Sequence, residues 1–146
     1  MSRVLAGPFA GRIMHDLGAA VVKVEPPEGD VTRHWGKVRA GLAGYYTQQN
    51  VGKRNVCIDL RAEGGAELVR RLAVEADVLI ENFRPGIMKK FGLAYEDLSL
   101  LNPKLVMLSI SGFGQAGPES GRETKVYQII GGVKKDCGKI LSLIHI

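Results

Sequence analysis

The sequence predicts an α/β fold, an open parallel β-sheet whose strands are joined by crossover helices. Short apolar runs alternate with amphipathic stretches, and each run stops in a polar turn punctuated by Gly or Pro. No segment repeats another. The clearest run is Val78, Leu79 and Ile80, bounded by Asp77 and Glu81 and followed by Asn82-Phe83-Arg84-Pro85-Gly86. Ligands of open parallel sheets gather beyond the carboxyl ends of strands, so this edge is where binding groups are expected. A plain strand-to-helix turn accounts for it equally well when taken alone.

Residues 3–8 read as the end of a strand entering a Gly-Pro turn, with almost no strand before it, as though the natural start were missing. Phe9, Ile13 and Leu17, with Ala10 and Met14, fall at helical spacing, and Gly18 is a stop. Residues 19–24 are apolar apart from Lys23 and predict a second buried strand, ended by Pro26-Pro27. Residues 28–44, rich in Gly and charge, predict a long loop in which Trp35 packs on the sheet and His34 is exposed. A polar turn at 48–54 leads to a strand at 55–60, with Cys57 as a small core residue.

Residues 63–76 place Leu68, Val69, Leu72, Ala73 and Ala76 on one stripe and Glu67, Arg70, Arg71 and Glu75 opposite it, an amphipathic helix. Short helices are expected at 87–91 and 95–101, then a buried strand at 105–110. The α/β part is drawn as residues 1–132. Residues 133–146 show neither period nor cap and are set apart as a divergent or non-native tail.

A chain of 146 residues, 45% hydrophobic and 24% charged, suits about one globular domain. The net charge of +5 and pI near 9.4 suit a polyanionic ligand: a nucleotide, a phosphorylated cofactor or a nucleic acid. The charges are scattered without interleaved aromatics, which weighs against nucleic acid. Two cysteines and three histidines at no ligand spacing give no reason to expect a metal. No apolar stretch reaches the roughly 18 residues of a membrane span, and no secretory pattern opens the chain. The expected location is the cytoplasm, or the mitochondrion if a targeting segment precedes Met1.

Gly112-Phe113-Gly114-Gln115-Ala116-Gly117 matches the glycine pattern of a dinucleotide site. That site needs a helix opening at the third Gly, and Pro118-Glu119-Ser120-Gly121 shows no apolar stripe. A glycine-rich loop is the better reading, with an NAD-binding domain as an alternative. Lys53-Arg54 and Lys89-Lys90 lie near strand ends, where they could hold phosphate or simply face water.

An ordered set of motifs carries a more specific resemblance. It comprises Val4-Leu5-Ala6-Gly7-Pro8-Phe9-Ala10, Asp16-Leu17-Gly18-Ala19 with Val22-Lys23-Val24-Glu25, and Gly29-Asp30-Val31-Thr32-Arg33 with Trp35-Gly36. Asn50 with Lys53-Arg54, Glu81-Asn82-Phe83-Arg84-Pro85-Gly86 and Ser109-Ile110-Ser111-Gly112-Phe113-Gly114 complete it. Over about residues 3–132 the chain resembles the N-terminal part of a class III CoA-transferase, the family of formyl-CoA:oxalate and carnitine CoA-transferases and α-methylacyl-CoA racemase. The resemblance implies a Rossmann-like α/β domain, a homodimer of interlocked chains, coenzyme A as part of an acyl-CoA substrate, and a small carboxylic acid as second substrate.

It also implies site residues. Val4, Leu5 and Ala6 would contact CoA through backbone, and Ile58 and Arg61 would line its adenine end. Asn82 and Phe83 would hold the pantetheine and nucleotide region, with Lys90 and Lys125 near the phosphates. Pro26 stands where many members carry Arg. The family's nucleophile is an Asp downstream of the position matched by Gly131-Gly132. No residue here is assigned that role, so the isolated chain is expected to be inactive. No His lies between His34 and His145, which favours transferase over racemase. A non-catalytic CoA- or nucleotide-binding module is the other alternative.

Overall fold

Four strands of four residues each form two pairs, and each strand lies parallel to its partner in the computed structural model, which describes residues 1–121. In chain order the elements are α1 (Ala6–Asp16), β1 (Val22–Glu25), a 3₁₀ turn (Val31–His34), β2 (Val38–Arg39), β3 (Leu42–Ala43) and α2 (Gly44–Asn50). There follow β4 (Arg54–Cys57), α3 (Gly65–Val74), β5 (Val78–Glu81), α4 (Ile87–Lys90), α5 (Tyr95–Ser99) and β6 (Val106–Ser109). β1 pairs with β4, Val22 opposite Arg54, and β5 pairs with β6, Val78 opposite Val106. Parallel neighbours require crossover connections, supplied here by the loop and α2 in one pair and by α4 and α5 in the other. The α/β class expected from the alternating pattern is therefore the one found, as two strand pairs.

Several local expectations are corrected. The helix placed at Phe9 begins at Ala6, so Gly7-Pro8 lies in its first turn instead of forming a separate one. Proline is tolerated there because the first helical N–H groups have no intrahelical acceptor. Residues 48–50, expected to open the polar turn at 48–54, instead end α2. Its polar side chains bond one turn back, Thr47 Oγ1 to Ala43 O at 3.1 Å and Asn50 Nδ2 to Tyr46 O at 2.9 Å, and bury Tyr46, Gln49 and Asn50 together. A helix that buries amides shows no apolar period.

The expected long loop contains a 3₁₀ turn and the β2–β3 hairpin, whose corner residues Ala40 and Gly41 both have positive φ, as a tight hairpin turn demands. Trp35 rests against Tyr45, ring centroids 5.7 Å apart. Cys57, expected as a small core residue, is exposed at the end of β4.

The core gathers α3, β5, α4, α5 and the start of β6 around Val69, Ala73, Leu79, Met88, Leu93 and Leu98. Each large side chain buried here contributes about 1.5–3 kcal/mol. On α3 the buried positions are Gly65, Val69 and Ala73, one per turn, while Leu68 and Leu72 of the predicted stripe stay largely exposed. Gly65 is required for this approach, since a Cβ would collide with the Asp59 carbonyl oxygen.

Candidate functional site

The carboxyl ends of β1, β4 and β5 open into a cleft of about 310 Å³. Its apolar wall is Val24, Ile58, Leu60, Phe83 and Phe91, and its polar rim is Arg3, Glu28, Asp59 and Arg61. Each strand delivers one part of the wall: Val24 is the penultimate residue of β1, Ile58 follows β4, and Phe83 lies just beyond β5.

The Arg3 segment is fixed from two sides. Asn82 Oδ1 accepts from Arg3 N at 2.9 Å and Asn82 Nδ2 donates to Arg3 O at 2.8 Å. On the other side Val4 N donates to the Asp30 carboxylate at 3.2 Å. Val4 has a φ of +68°, an unfavourable region for a β-branched residue, so the surrounding hydrogen bonds hold local strain next to the cleft.

Beneath this lies a buried ionic network. Lys23 Nζ donates to Asp30 at 2.9 Å and to Ser2 O at 3.0 Å. Asp30 also accepts from Thr32 N and Thr32 Oγ1 and so caps the 3₁₀ turn. Glu25 accepts from Arg33 Nε at 2.8 Å and from the Tyr46 hydroxyl at 2.6 Å. Burial opposes ionisation of both acids, yet their partners prevail. Arg33, Tyr46 and Lys23 draw Glu25 below its usual range, and Lys23 and Thr32 do the same for Asp30. The lone charged residue of the apolar run at 19–24 is thus a buried hub.

Glu81 behaves in the opposite way. Burial raises its pKa, against the hydrogen bonds from Ser109 and from Phe83 N, the latter at 2.7 Å. That second bond folds the turn carrying Phe83 into the cleft. Lys53 lies outside this cleft: its Nζ donates to Pro8 O, Gln49 O and Asn50 Oδ1 and ties α1 to α2. Burial pushes its pKa down to about 8. Lys53 is thus engaged within the fold, while Arg54 of the same pair is exposed.

On the rim, Arg61 pairs with Asp59 at 3.0 Å and with Glu28 at 3.8 Å, and Arg3 pairs with Glu28 at 3.4 Å. Asp59 lies below its usual range because Arg61 hydrogen-bonds it. Such exposed pairs are worth little, so an anionic ligand can replace the carboxylates around these guanidinium groups at small cost.

The nine residues named from the sequence divide accordingly. Ile58, Arg61 and Phe83 line the cleft. Asn82 stands behind it as the clamp on Arg3, and Val4, Leu5 and Ala6 form the adjoining turn at the start of α1. Lys90 is exposed in the last turn of α4, next to Phe91 of the lining, and Lys125 lies outside the described residues. Sequence reasoning missed Arg3, Glu28, Asp59 and Phe91. Asp59 could have been found, since it directly follows the strand that supplies Ile58. Arg3 and Glu28 reach the rim only through long-range folding. Among the described residues no group of His, Cys, Asp and Glu could hold a metal ion. Gly112 to Gly117 lie in turns, Ser111 Oγ donating to Gly114 O at 2.8 Å, with no helix after them among the described residues.

A family model described as CoA-transferase family III matches residues 1–139. The chain belongs to that family. It is 52% identical over 126 residues to succinate–glutarate CoA-transferase of Agrobacterium fabrum, covering 81% of this chain and 32% of that protein. It is 42% identical over 124 residues to human succinyl-CoA:glutarate CoA-transferase, covering 84% and 28%. A solved CAIB/BAIF family protein from Brucella suis superposes with a TM-score of 0.79 at 51% identity, over 84% of this chain and 34% of that one. The chain thus spans about a third of the length of these relatives.

Proposed function

We propose that this chain is the CoA-binding part of an acyl-CoA:carboxylate CoA-transferase, and that the cleft beyond β1, β4 and β5 receives the adenosine end of CoA. The observation that carries this reading is the joint placement of Ile58, Phe83 and Phe91 beside Arg3 and Arg61. An aromatic and aliphatic wall suits an adenine ring, and guanidinium groups on loosely held carboxylates suit phosphates. The start of α1 has no side-chain cap, and with the Val4 N–H held by Asp30 it is the N–H groups of Leu5 and Ala6 that would meet a phosphate or carbonyl of the ligand.

In the full reaction an aspartate carboxylate attacks the thioester carbonyl and expels CoA thiolate, leaving a mixed anhydride. The thiolate then attacks the aspartyl carbonyl, releasing the first acid and forming an aspartyl-CoA thioester, and the acceptor carboxylate reverses the sequence. Covalent catalysis divides one difficult transfer into easier steps. No residue of this chain is assigned the nucleophilic role, and its own part is to bind and orient CoA. Relatives named for succinate, glutarate, citramalate and oxalate support a small dicarboxylic acid as acceptor. By the same family likeness the working protein is a homodimer.

Calorimetric titration with CoA, NAD and ATP tests this. CoA should bind most tightly, and Arg61→Ala should weaken it about tenfold, the loss of one charge-assisted hydrogen bond. Preference for NAD would refute the reading.

A further inference from the structure

Asp30 is fully buried, at 0% exposure, and takes no part in the lining of the cleft. Capping the 3₁₀ turn does not demand a carboxylate, because Ser or Asn caps as well without a charge to bury. The two oxygens divide the work. Oδ1 accepts from Thr32 N at 3.0 Å and Thr32 Oγ1 at 2.8 Å, while Oδ2 accepts from Lys23 Nζ at 2.9 Å and from Val4 N at 3.2 Å. The cap therefore uses one oxygen, and the other reaches the segment that enters α1.

The Val4 N–H and the Arg3 carbonyl belong to one peptide unit, and a trans peptide directs them to opposite sides. Asn82 Nδ2 donates to that carbonyl at 2.8 Å, so the unit is pinned between Asn82, just beyond β5, and Asp30, in the loop after β1. On the other side of Val4 the helix is anchored as well: Phe9 N donates to Leu5 O at 2.7 Å, and Lys53 Nζ to Pro8 O at 2.6 Å. The φ rotation of Val4 joins the pinned peptide to the anchored helix, and it stands at +68°. A β-branched residue avoids that region, and such a backbone persists only where its surroundings over-determine it. Released from the carboxylate, the turn would relax toward negative φ and rotate the Arg3–Val4 peptide against α1. Arg3, which lines the cleft, and the N–H groups of Leu5 and Ala6 lie on either side of that rotation.

We propose that Asp30 is a positioning residue for CoA: without touching the ligand, it holds Val4 in the left-handed conformation that sets Arg3 and the Leu5 and Ala6 amides at one edge of the cleft. This rests on the reading of the cleft as the CoA site. Lys23 compensates the buried charge and keeps Asp30 ionised, so that both its oxygens are acceptors for the turn. A turn already set in its binding conformation loses no affinity to a competing one.

The test is calorimetric titration with CoA of the 146-residue chain, Asp30→Asn, Val4→Gly and the double variant, at a temperature where circular dichroism shows each fully folded. Asparagine keeps an oxygen for Thr32 but sets an NH2 group against Lys23 and the Val4 N–H. If the freed turn holds the strained conformation about a tenth of the time, the apparent affinity of Asp30→Asn falls about tenfold. Glycine takes positive φ without strain, so adding Val4→Gly should bring that affinity back to within about threefold of the parent. Equal affinity of Asp30→Asn and the parent, or an equal loss with Val and with Gly at position 4, would overturn the proposal. If Asp30→Asn does not fold because Lys23 has lost its partner, the comparison runs in Lys23→Met with Asp30→Asn, where both charges are gone. There Val4→Gly should raise the affinity about threefold or more, and no gain would overturn the proposal. Arg61→Ala, measured alongside, separates this role from the reading beneath it. Weaker binding by Arg61→Ala with none by Asp30→Asn would overturn the positioning role alone, and a parent chain that does not bind CoA would overturn both.

Discussion

The Asn82 side chain grips both backbone groups of Arg3, accepting from its N–H at 2.9 Å and donating to its carbonyl at 2.8 Å across 79 residues of sequence. Only a carboxamide can satisfy both. Asn82→Ala should cost about 1–3 kcal/mol in urea unfolding, because two partly buried groups lose their partner. Asn82→Asp should do no better, since its carboxylate would face the Arg3 carbonyl. An Asp variant as stable as the parent would show that one of the two bonds suffices.

Lys23 is the buried cation that compensates Asp30 and Glu25, at 2.9 and 3.8 Å. Lys23→Met leaves two buried acids short of a partner and should cost about 3–5 kcal/mol. Adding Asp30→Asn should recover part of that loss in the same denaturation assay. Strict additivity of the two substitutions would contradict the pairing.

How far the sequence foretold this arrangement differs by level. The strands at Val78–Glu81 and Val106–Ser109 were legible because short apolar runs between breakers have few other readings. α2 was not, because its buried positions include the polar Gln49 and Asn50, which leave no apolar stripe. Cys57 and Leu72 looked like core residues, but local hydrophobicity does not reveal which strand is an edge or which flank of a helix meets a neighbour. Ile58, Arg61 and Phe83, named through family resemblance, lie together on one cleft. Arg3 and Glu28 depend on contacts between distant segments that no local pattern encodes.

Acid should unfold the protein partly through Glu25 and Asp30. Both have folded pKa values below their ordinary ones, so the folded state binds fewer protons and their stabilisation is complete above about pH 4.5. It is lost as pH falls through the depressed values. Glu81, raised by burial, has the opposite sign: its cost is relieved as pH falls toward the ordinary glutamate range. Glu25→Gln should flatten the acid limb of a stability-versus-pH curve, and Glu81→Gln should steepen it. Indistinguishable curves for the two variants would contradict the assignment.

Glu28 pairs with both Arg3 and Arg61, the guanidinium groups proposed to receive the CoA phosphates. Its side chain is about half exposed, so Glu28→Gln should leave the unfolding midpoint nearly unchanged. Calorimetry should show CoA binding about two- to fivefold more tightly, as a repelling charge beside the phosphates disappears. Weaker binding would mean that Glu28 contacts CoA directly.

Occupation of the cleft by coenzyme A is read most directly from backbone amide chemical shifts during a CoA titration of the 146-residue chain. The amides of Ile58, Arg61 and Phe83 should shift together with a single affinity, those of Leu100 and Val106 should stay in place, and NAD at equal concentration should move the first group less. Shifts confined to other residues, or NAD moving Ile58, Arg61 and Phe83 as far as CoA does, would contradict CoA recognition at this edge of the sheet.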